Sequence, residues 1–245
     1  MNNQTRAAAL LAAVAEAPRE SCGMVVVVGG KERYWPCRNI NPIQTDFSID
    51  PADYLAAARA GTIVAVIHSH PDGFPHPSDA DRASCEKWGI PWHIVSPHLG
   101  DGQGQWFSFE PSGWKPPLIG RQWSWGVHDC WALVRDWYAE QNLQLPDFER
   151  PADPEEFLRQ PLFESLYAEA GFFAVPREQI RAGDAVLQSR FVPGLNHVGV
   201  ILPDGRLLHH VEGRLSSSDI YGDGHQRSTG RVLRPLAWKD KSPWT

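Results

Sequence analysis

The sequence predicts a mixed α/β (α+β) protein built as two domains, and three observations carry that expectation. Strand-like apolar runs alternate with helical segments through the first 110 residues. A Pro- and Gly-rich stretch, FEPSGWKPPLIG at 109–120, interrupts the pattern. Beyond it lies a second cluster of chemistry-bearing residues, separate from the first. At 245 residues the chain is long enough for each domain to bury its own core. The expected division is 1–110, a linker over 111–120, and 121–245.

In order along the chain, MNNQTRAAALLAAVAEAP ends in a small-residue Ala15-Glu16-Ala17 site that imitates a secretory signal. The stretch is Ala-rich rather than Leu-rich, and it reads as an opening helix to about residue 16. CGMVVVVGG is a strand whose Gly-Gly turn leads into a second strand, KERYWPCRN. DPADYLAAARA opens a helix with Asp50 as N-cap and Pro51 at the first helical position. GTIVAVIHSH is a buried strand, SDADRASCEKW a helix, and PWHIVSP another strand. After the linker come a helix in CWALVRDWYAEQ and an irregular acidic stretch to about 178. The strands DAVLQS, HVGVIL and RLLHHVE follow.

Composition excludes several classes. With 42% hydrophobic and 21% charged residues the chain is globular rather than disordered. The net charge is −6 and acids outnumber bases on both sides of the linker, which argues against nucleic acid as a partner. No apolar run approaches the ~20 residues of a membrane span. Four cysteines, at 22, 37, 85 and 130, show no regular spacing and no C-x-x-C. They read as free thiols in a reducing compartment.

HSHPDGFPHPSDAD, residues 68–81, carries the first chemistry. Side chains alternate along a strand, so His68 and His70 point the same way and can share a Zn²⁺. A hydrolytic zinc site wants three protein ligands and one open position, and His68, His70 and Asp81 meet that count. A plainer reading covers part of the pattern, because Ser78 and Asp81 also match a helix capping box. It leaves the His-x-His unexplained. With Glu20 upstream, the His-x-His-Pro, and Ser78 and Asp81 at their spacing, the stretch resembles the JAB1/MPN metalloprotease family and its JAMM motif. The resemblance implies one zinc held by His68, His70 and Asp81, with Glu20 as general base and Ser78 donating to the oxyanion. It implies hydrolysis of an amide or isopeptide bond by zinc-activated water.

The second cluster is WSWGVHDCWALVRDWY. Asp129 stands at a helix N-cap and Cys130 in the first turn, with Leu133, Val134, Trp137 and Tyr138 as an apolar stripe behind it. The positive end of the helix dipole is expected to lower the thiol's pKa below its free value of ~8.5. His128 reads as site rim or surface. Trp123, Trp125 and Trp131 serve equally well as groove walls or as core. Together with GDAVLQS and HVGVILPDGRLLHH, the stretch resembles the NlpC family of papain-like cysteine peptidases, which act on bacterial cell-wall peptides. The resemblance implies an antiparallel sheet with a nucleophile helix, Cys130 as nucleophile, His197 as general base and a polar residue on the next strand to orient the imidazole.

Register chooses that third residue. A three-residue Pro-Asp-Gly turn pairs Leu202 with Arg206 and Val200 with Leu208, which puts His209 opposite Gly199 on the His197 face. A two-residue turn would pair Gly199 with His210 instead. The family's spacing favours His209, and His210 stays open.

The tandem order resembles the tail tip assembly protein K family of lambda-like phages. That resemblance implies a tail-tip assembly protein with peptidase activity, whose partners are peptidoglycan stem peptides and other tail-tip proteins. It also implies synthesis in the host cytoplasm, action on the cell wall, and a place in the virion tail left open. Two alternatives stand beside it: an assembly protein whose sites serve only maturation, and a cellular JAMM peptidase that processes a ubiquitin-like or sulfur-carrier tail.

Overall fold

Four consecutive valines after Met24 make the strand around which the first half of the chain is organised. In the computed structural model, which describes residues 1–151 and 154–240, the chain divides into two units, Met1–Lys115 and Pro116–Thr245.

In the first unit, β1 (Cys22–Val28) pairs antiparallel with β2 (Lys31–Cys37) on one side and with β3 (Thr62–Ser69) on the other. Gly29 and Gly30 close the β1–β2 turn with φ of +56° and +76°, a conformation open to glycine at little cost. β3 runs parallel to β4 (Trp92–Ser96), which pairs antiparallel with β5 (Gln105–Phe109), giving the order β2-β1-β3-β4-β5. Both faces of β1 are covered, so its sequence is continuously apolar rather than alternating. Val25 packs with Ala65, Ile67 and Ala9 of α1 (Asn3–Glu16), while Met24 and Val26 pack with Ala57 of α2 (Pro51–Ala60). Asp50 caps α2 by accepting from the Ala52 N–H, with Pro51 at the start. The parallel β3–β4 connection needs a crossover, and α3 (Asp79–Trp88) supplies it.

The second unit opens its regular structure with α4 (Cys130–Glu140), followed by short helices α5 (Pro154–Arg159) and α6 (Leu162–Leu166). Its sheet holds β6 (Phe172–Val175), β7 (Ala185–Gln188), β8 (His197–Ile201), β9 (Arg206–His209), β10 (Ser217–Ile220) and β11 (Thr229–Pro235), with α7 (Asp223–Ser228) before the last strand. The order is β10-β9-β8-β7-β11-β6 and every pairing is antiparallel. Leu133, Val134, Trp137 and Tyr138 of α4 bury against Val198, Val200 and Leu208. Among the described residues no helix is long and apolar enough to cross a membrane.

Four strands, β5, β6, β10 and β11, lie where none was expected, and the stretch to 178 is not irregular throughout. β5 and β6 are short, and β10, SSDI, is a polar edge strand that buries no side chain fully. Neither β5 nor β10 shows the strict alternation by which a strand is read from sequence, and the apolar run of β6, FFAV, is too short for periodicity to tell a strand from a helical segment. β11 was hidden by its flanking Gly230 and Pro235.

The Gly-Asp pair before β7 has a structural task. Asp184 is buried, accepts from the Arg181 N–H at 3.0 Å, and takes Arg234 of β11 through two contacts of 2.8 and 2.9 Å. Removing one partner would strand a buried charge. Asp184→Ala is expected to destabilise the second unit by about 3–5 kcal/mol. Urea unfolding followed by tryptophan fluorescence reads this, and a midpoint equal to wild type would contradict it.

Candidate active sites

At the first site, pairing of β1 with β3 sets Cys22 opposite His68, and this brings Glu20, just before β1, to the end of β3. His68 Nε2 lies 3.2 Å from His70 Nε2 and 3.2 Å from Asp81 Oδ1. His70 Nε2 lies 3.7 Å from Asp81 Oδ2 and 3.9 Å from Glu20 Oε1. Glu20, His68 and Asp81 are buried, and Phe47 stacks on the His68 ring at 4.6 Å. His70 Nδ1 meets the Phe74 carbonyl at 3.2 Å, which fixes the ring.

Ser78 and Asp81 form the capping box of α3. The Ser78 backbone N–H and hydroxyl both donate to Asp81 Oδ2 at 2.8 Å, and the Ser78 hydroxyl accepts from the Asp81 N–H. The capping and zinc readings of these two residues therefore coexist: Oδ2 accepts from Ser78 in the cap while Oδ1 faces His68. The Ser78 hydroxyl proton is engaged by Asp81, and an oxyanion role would require it to turn.

The donor set fits a zinc ion. Ligand atoms of Glu20, His68 and His70 all fall within 4.8 Å of one another, and Asp81 adds a carboxylate beside His68. Two imidazole nitrogens that face each other beside two buried carboxylates form an arrangement that a shared cation would relieve. Burial, then the charges of Asp81 and Asp46, push the Glu20 carboxyl up to about 9. Burial also opposes ionisation of Asp81, but His68, His70 and Ser78 outweigh it and hold that carboxyl well below the usual carboxylate range. The two carboxylates are thus pushed apart, the pattern by which acid and base roles are separated.

At the second site, β8 and β9 pair Gly199 with His209, Val200 with Leu208 and Ile201 with Leu207, while the Leu202 N–H donates to the Arg206 carbonyl. His209 consequently shares a face with His197, and His197 Nε2 lies 3.1 Å from His209 Nδ1. His210 points elsewhere. Its Nε2 meets the Arg214 carbonyl, and Trp123 packs edge-on against its ring. The relay continues to a residue that sequence reasoning missed: His209 Nε2 lies 3.1 Å from Oδ2 of Asp219 on β10. Only continuing the β9–β10 hairpin register across 210–216 would have found it.

Cys130 is the first residue of α4, capped by Asp129, whose side chain accepts from the Ala132 N–H. Arg150, also unanticipated, holds the Asp129 carboxylate through contacts of 2.8 and 3.1 Å. The backbone N–H groups of Val198 and Trp131 are directed at the thiol, so the sulfur sits beside the residue that follows His197. An apolar cavity adjoins it, lined by Trp125, Trp131, Phe148, Phe163 and Tyr167 among others. Trp125 and Trp131 thus line the cavity, whereas Trp123 packs on His210.

Two expectations need correction. His128 is not at a rim: it is buried, and burial, then the charges of Arg121 and His210, lowers its pKa to about 4. The Cys130 thiol is not acidified. Complete burial, then the Asp129 carboxylate, pushes it up to about 12 against the N–H groups of Val198 and Trp131 and the charge of Arg150. A helix N-terminus is worth a fraction of what desolvation costs a thiolate. Burial first, then His209, drives the His197 pKa well below the ordinary imidazole value. The resting pair is therefore a thiol and a neutral imidazole. At pH 7 Cys130 is expected to react with iodoacetamide at least ~100-fold more slowly than a free thiol of pKa ~8.5, accelerating only as pH rises. Mass mapping of time-resolved labelling checks this, and rapid modification of Cys130 below pH 7 would contradict it.

Comparison with known proteins agrees with this two-part arrangement. The prokaryotic homologues of the JAB domain match residues 3–110, and the NlpC/P60 family matches residues 120–234. A tail tip assembly protein K of Escherichia phage N15 is 36% identical over 242 residues, covering 96% of this chain and 95% of that protein. The protein of the same name from Escherichia phage lambda is 35% identical over 191 residues, covering 78% of this chain and 91% of its own length. A JAB1/MPN domain protein from Archaeoglobus fulgidus aligns over 44% of this chain and 84% of its own, at 16% identity and a TM-score of 0.29, a likeness too loose to add to these matches. With a JAB-type unit followed by an NlpC/P60-type unit along nearly its whole length, the chain belongs to the tail tip assembly protein K family.

Proposed function

We propose that this tail tip assembly protein is a two-site peptide hydrolase, in which residues 121–245 cut the stem peptides of peptidoglycan and residues 1–110 act as a zinc-dependent peptidase. The observation that carries the reading is the hydrogen-bonded line His197–His209–Asp219, whose first member adjoins Val198, the residue that directs its N–H at the Cys130 thiol. Its partners are cell-wall peptides and other tail-tip proteins, met after synthesis in the host cytoplasm.

The line selects tautomers. The Asp219 carboxylate can only accept, so His209 Nε2 carries a proton and donates it. Burial, outweighing Asp219, lowers the His209 pKa, so the ring is neutral near pH 7 and its Nδ1 is an acceptor. His197 must then donate from Nε2, which leaves its Nδ1 lone pair free for the Cys130 thiol proton. As that proton moves, the sulfur attacks the amide carbonyl. The protonated His197 returns the proton to the leaving amine, and a water deprotonated by His197 then cleaves the thioester. Asp219 touches no reacting atom and is a positioning residue.

In the first unit, His68, His70 and Asp81 would hold the zinc, with Glu20 beside it. Bound zinc would make water a nucleophile at neutral pH and polarise a carbonyl. The charge of the bound cation would offset the burial that keeps Glu20 protonated, freeing its carboxylate, held close to His70, to take a proton and pass it to the leaving amine. The buried position of Glu20 keeps that proton from being lost to solvent.

Residues 121–245 are expected to release stem-peptide fragments from Gram-negative cell wall, with Cys130→Ala and His197→Ala abolishing release and a chelator leaving it intact. Asp219→Asn should slow it roughly 10- to 100-fold, within what a positioned base contributes. Release that survives Cys130→Ala but dies with the chelator would move this chemistry to the zinc unit. No release from any wall would favour a role in assembly alone.

The pH dependence has a fixed sign. His197 must be neutral to accept the proton, and its pKa lies below 6.5, so kcat/KM should stay level through pH 6.5 and fall only in more acid solution. An acid limb at or above pH 6.5 in the rate profile would contradict this.

The purified full chain should hold about one tightly bound zinc, lost in the His68→Ala/His70→Ala double variant. Elemental analysis that finds equal zinc in both would contradict it.

A further inference from the structure

His225 lies in α7 and takes no part in the hydrolysis described above. Its ring packs edge-on against His209, with centroids 5.1 Å apart. Its Nδ1 is buried and has no hydrogen-bond partner. His209, Asp219 and His225 each bring a ligand atom within 4.8 Å of the others. The backbone carbonyl of His225 accepts from Gln188 Nε2 at 2.9 Å and from the Thr229 hydroxyl at 2.8 Å, which anchors the residue to β7 and β11. The residue also rims a surface cavity with Ser189, Arg190 and Phe191, so the cluster has an approach from solvent.

We propose that His209, Asp219 and His225 form a second divalent-cation site, of zinc type, whose occupation switches off Cys130. Two imidazoles and a carboxylate leave a coordination position for water and suit Zn²⁺ better than Mg²⁺ or Ca²⁺. Arg190, on the cavity rim, opposes a cation, so this site is weaker than the one in the first unit and fills only when zinc is in excess.

The inhibition follows from proton positions along the line. An ion bound at His209 Nε2 displaces the proton there, and the ring stays neutral by carrying its one proton on Nδ1 instead. His209 then donates from Nδ1 to His197 Nε2, which must accept. His197 in its neutral form now carries its proton on Nδ1, the atom that should take the proton of the Cys130 thiol. The base is silenced without any ligand touching the sulfur. The binding site stands on geometry alone, whereas the inhibition rests on the cysteine-peptidase reading.

The test uses the full chain with its first site loaded, titrated with zinc chloride by calorimetry. A second, weaker equivalent is expected. It should disappear in His225→Ala, and it should persist in His68→Ala/His70→Ala. Nitrogen-15 NMR of the imidazoles should show the His209 proton moving from Nε2 to Nδ1 as the second equivalent binds. Excess zinc should slow stem-peptide release at least tenfold in wild type but not in His225→Ala, whose zinc-free rate equals wild type. That variant also separates this effect from zinc on the Cys130 thiol, which it would leave unchanged. No second equivalent, or an unchanged one in His225→Ala, overturns the site. A second equivalent with undiminished release overturns the switch. If no wall preparation is cut at all, the cysteine-peptidase reading fails on its own, and the calorimetry and tautomer shifts still decide the site.

Discussion

The register of β8 against β9 is the constraint on which the C-terminal site depends. Strand side chains alternate, so a slip of one residue would present His210 to His197 and turn His209 to the opposite face. Gly199 secures the pairing, because a Cβ there would meet the Leu208 carbonyl oxygen at 2.9 Å and Leu207 Cδ1 at 2.7 Å. Its lack of a side chain lets β9 approach closely enough for the two imidazoles to share a hydrogen bond. The Pro-Asp-Gly turn sets the same register from its other end, with the Leu202 N–H on the Arg206 carbonyl. The first unit depends on an equivalent constraint, the β1–β3 pairing that carries Glu20 to the two histidines at the end of β3.

Both sites place titratable groups where water is scarce, and burial dominates their chemistry. At the first it makes Glu20 hold its proton while neighbouring imidazoles keep Asp81 ionised. At the second it keeps Cys130 a thiol and His197 neutral, so the proposed hydrolysis would move the proton during attack rather than start from a preformed ion pair. Low dielectric also makes the His197–His209 hydrogen bond matter more, since both rings are buried and water cannot readily substitute for a lost partner. The edge position of β10 leaves Asp219 half exposed, so the outer end of the line remains open to ions from solvent while its inner end stays dry.

Much of this was legible in the amino-acid sequence. The Gly-Gly turn, the capped helices at Asp50 and Ser78, the buried strand before His68 and the apolar stripe behind Cys130 all lie where local rules put them. Those rules act over a few residues, and so do the spacings that link His68, His70, Ser78 and Asp81. The hairpin register of His209 was legible for the same reason, since one short turn sets it. Asp219 was not, because an irregular connection separates it from His209 and its strand carries no apolar signature.

By itself the sequence determined which residue types stand at the ends of which strands and helices, because period-two alternation, caps and turns are properties of neighbouring residues. Only the tertiary structure decided what those residues became. It buried the Cys130 thiol so deeply that desolvation outweighs the helix N-terminus, spent one oxygen of Asp81 on a cap, and brought Asp219 and His225 from separate elements to His209. Solvent exclusion and long-range strand pairing depend on the whole packed unit, and no window of sequence contains them.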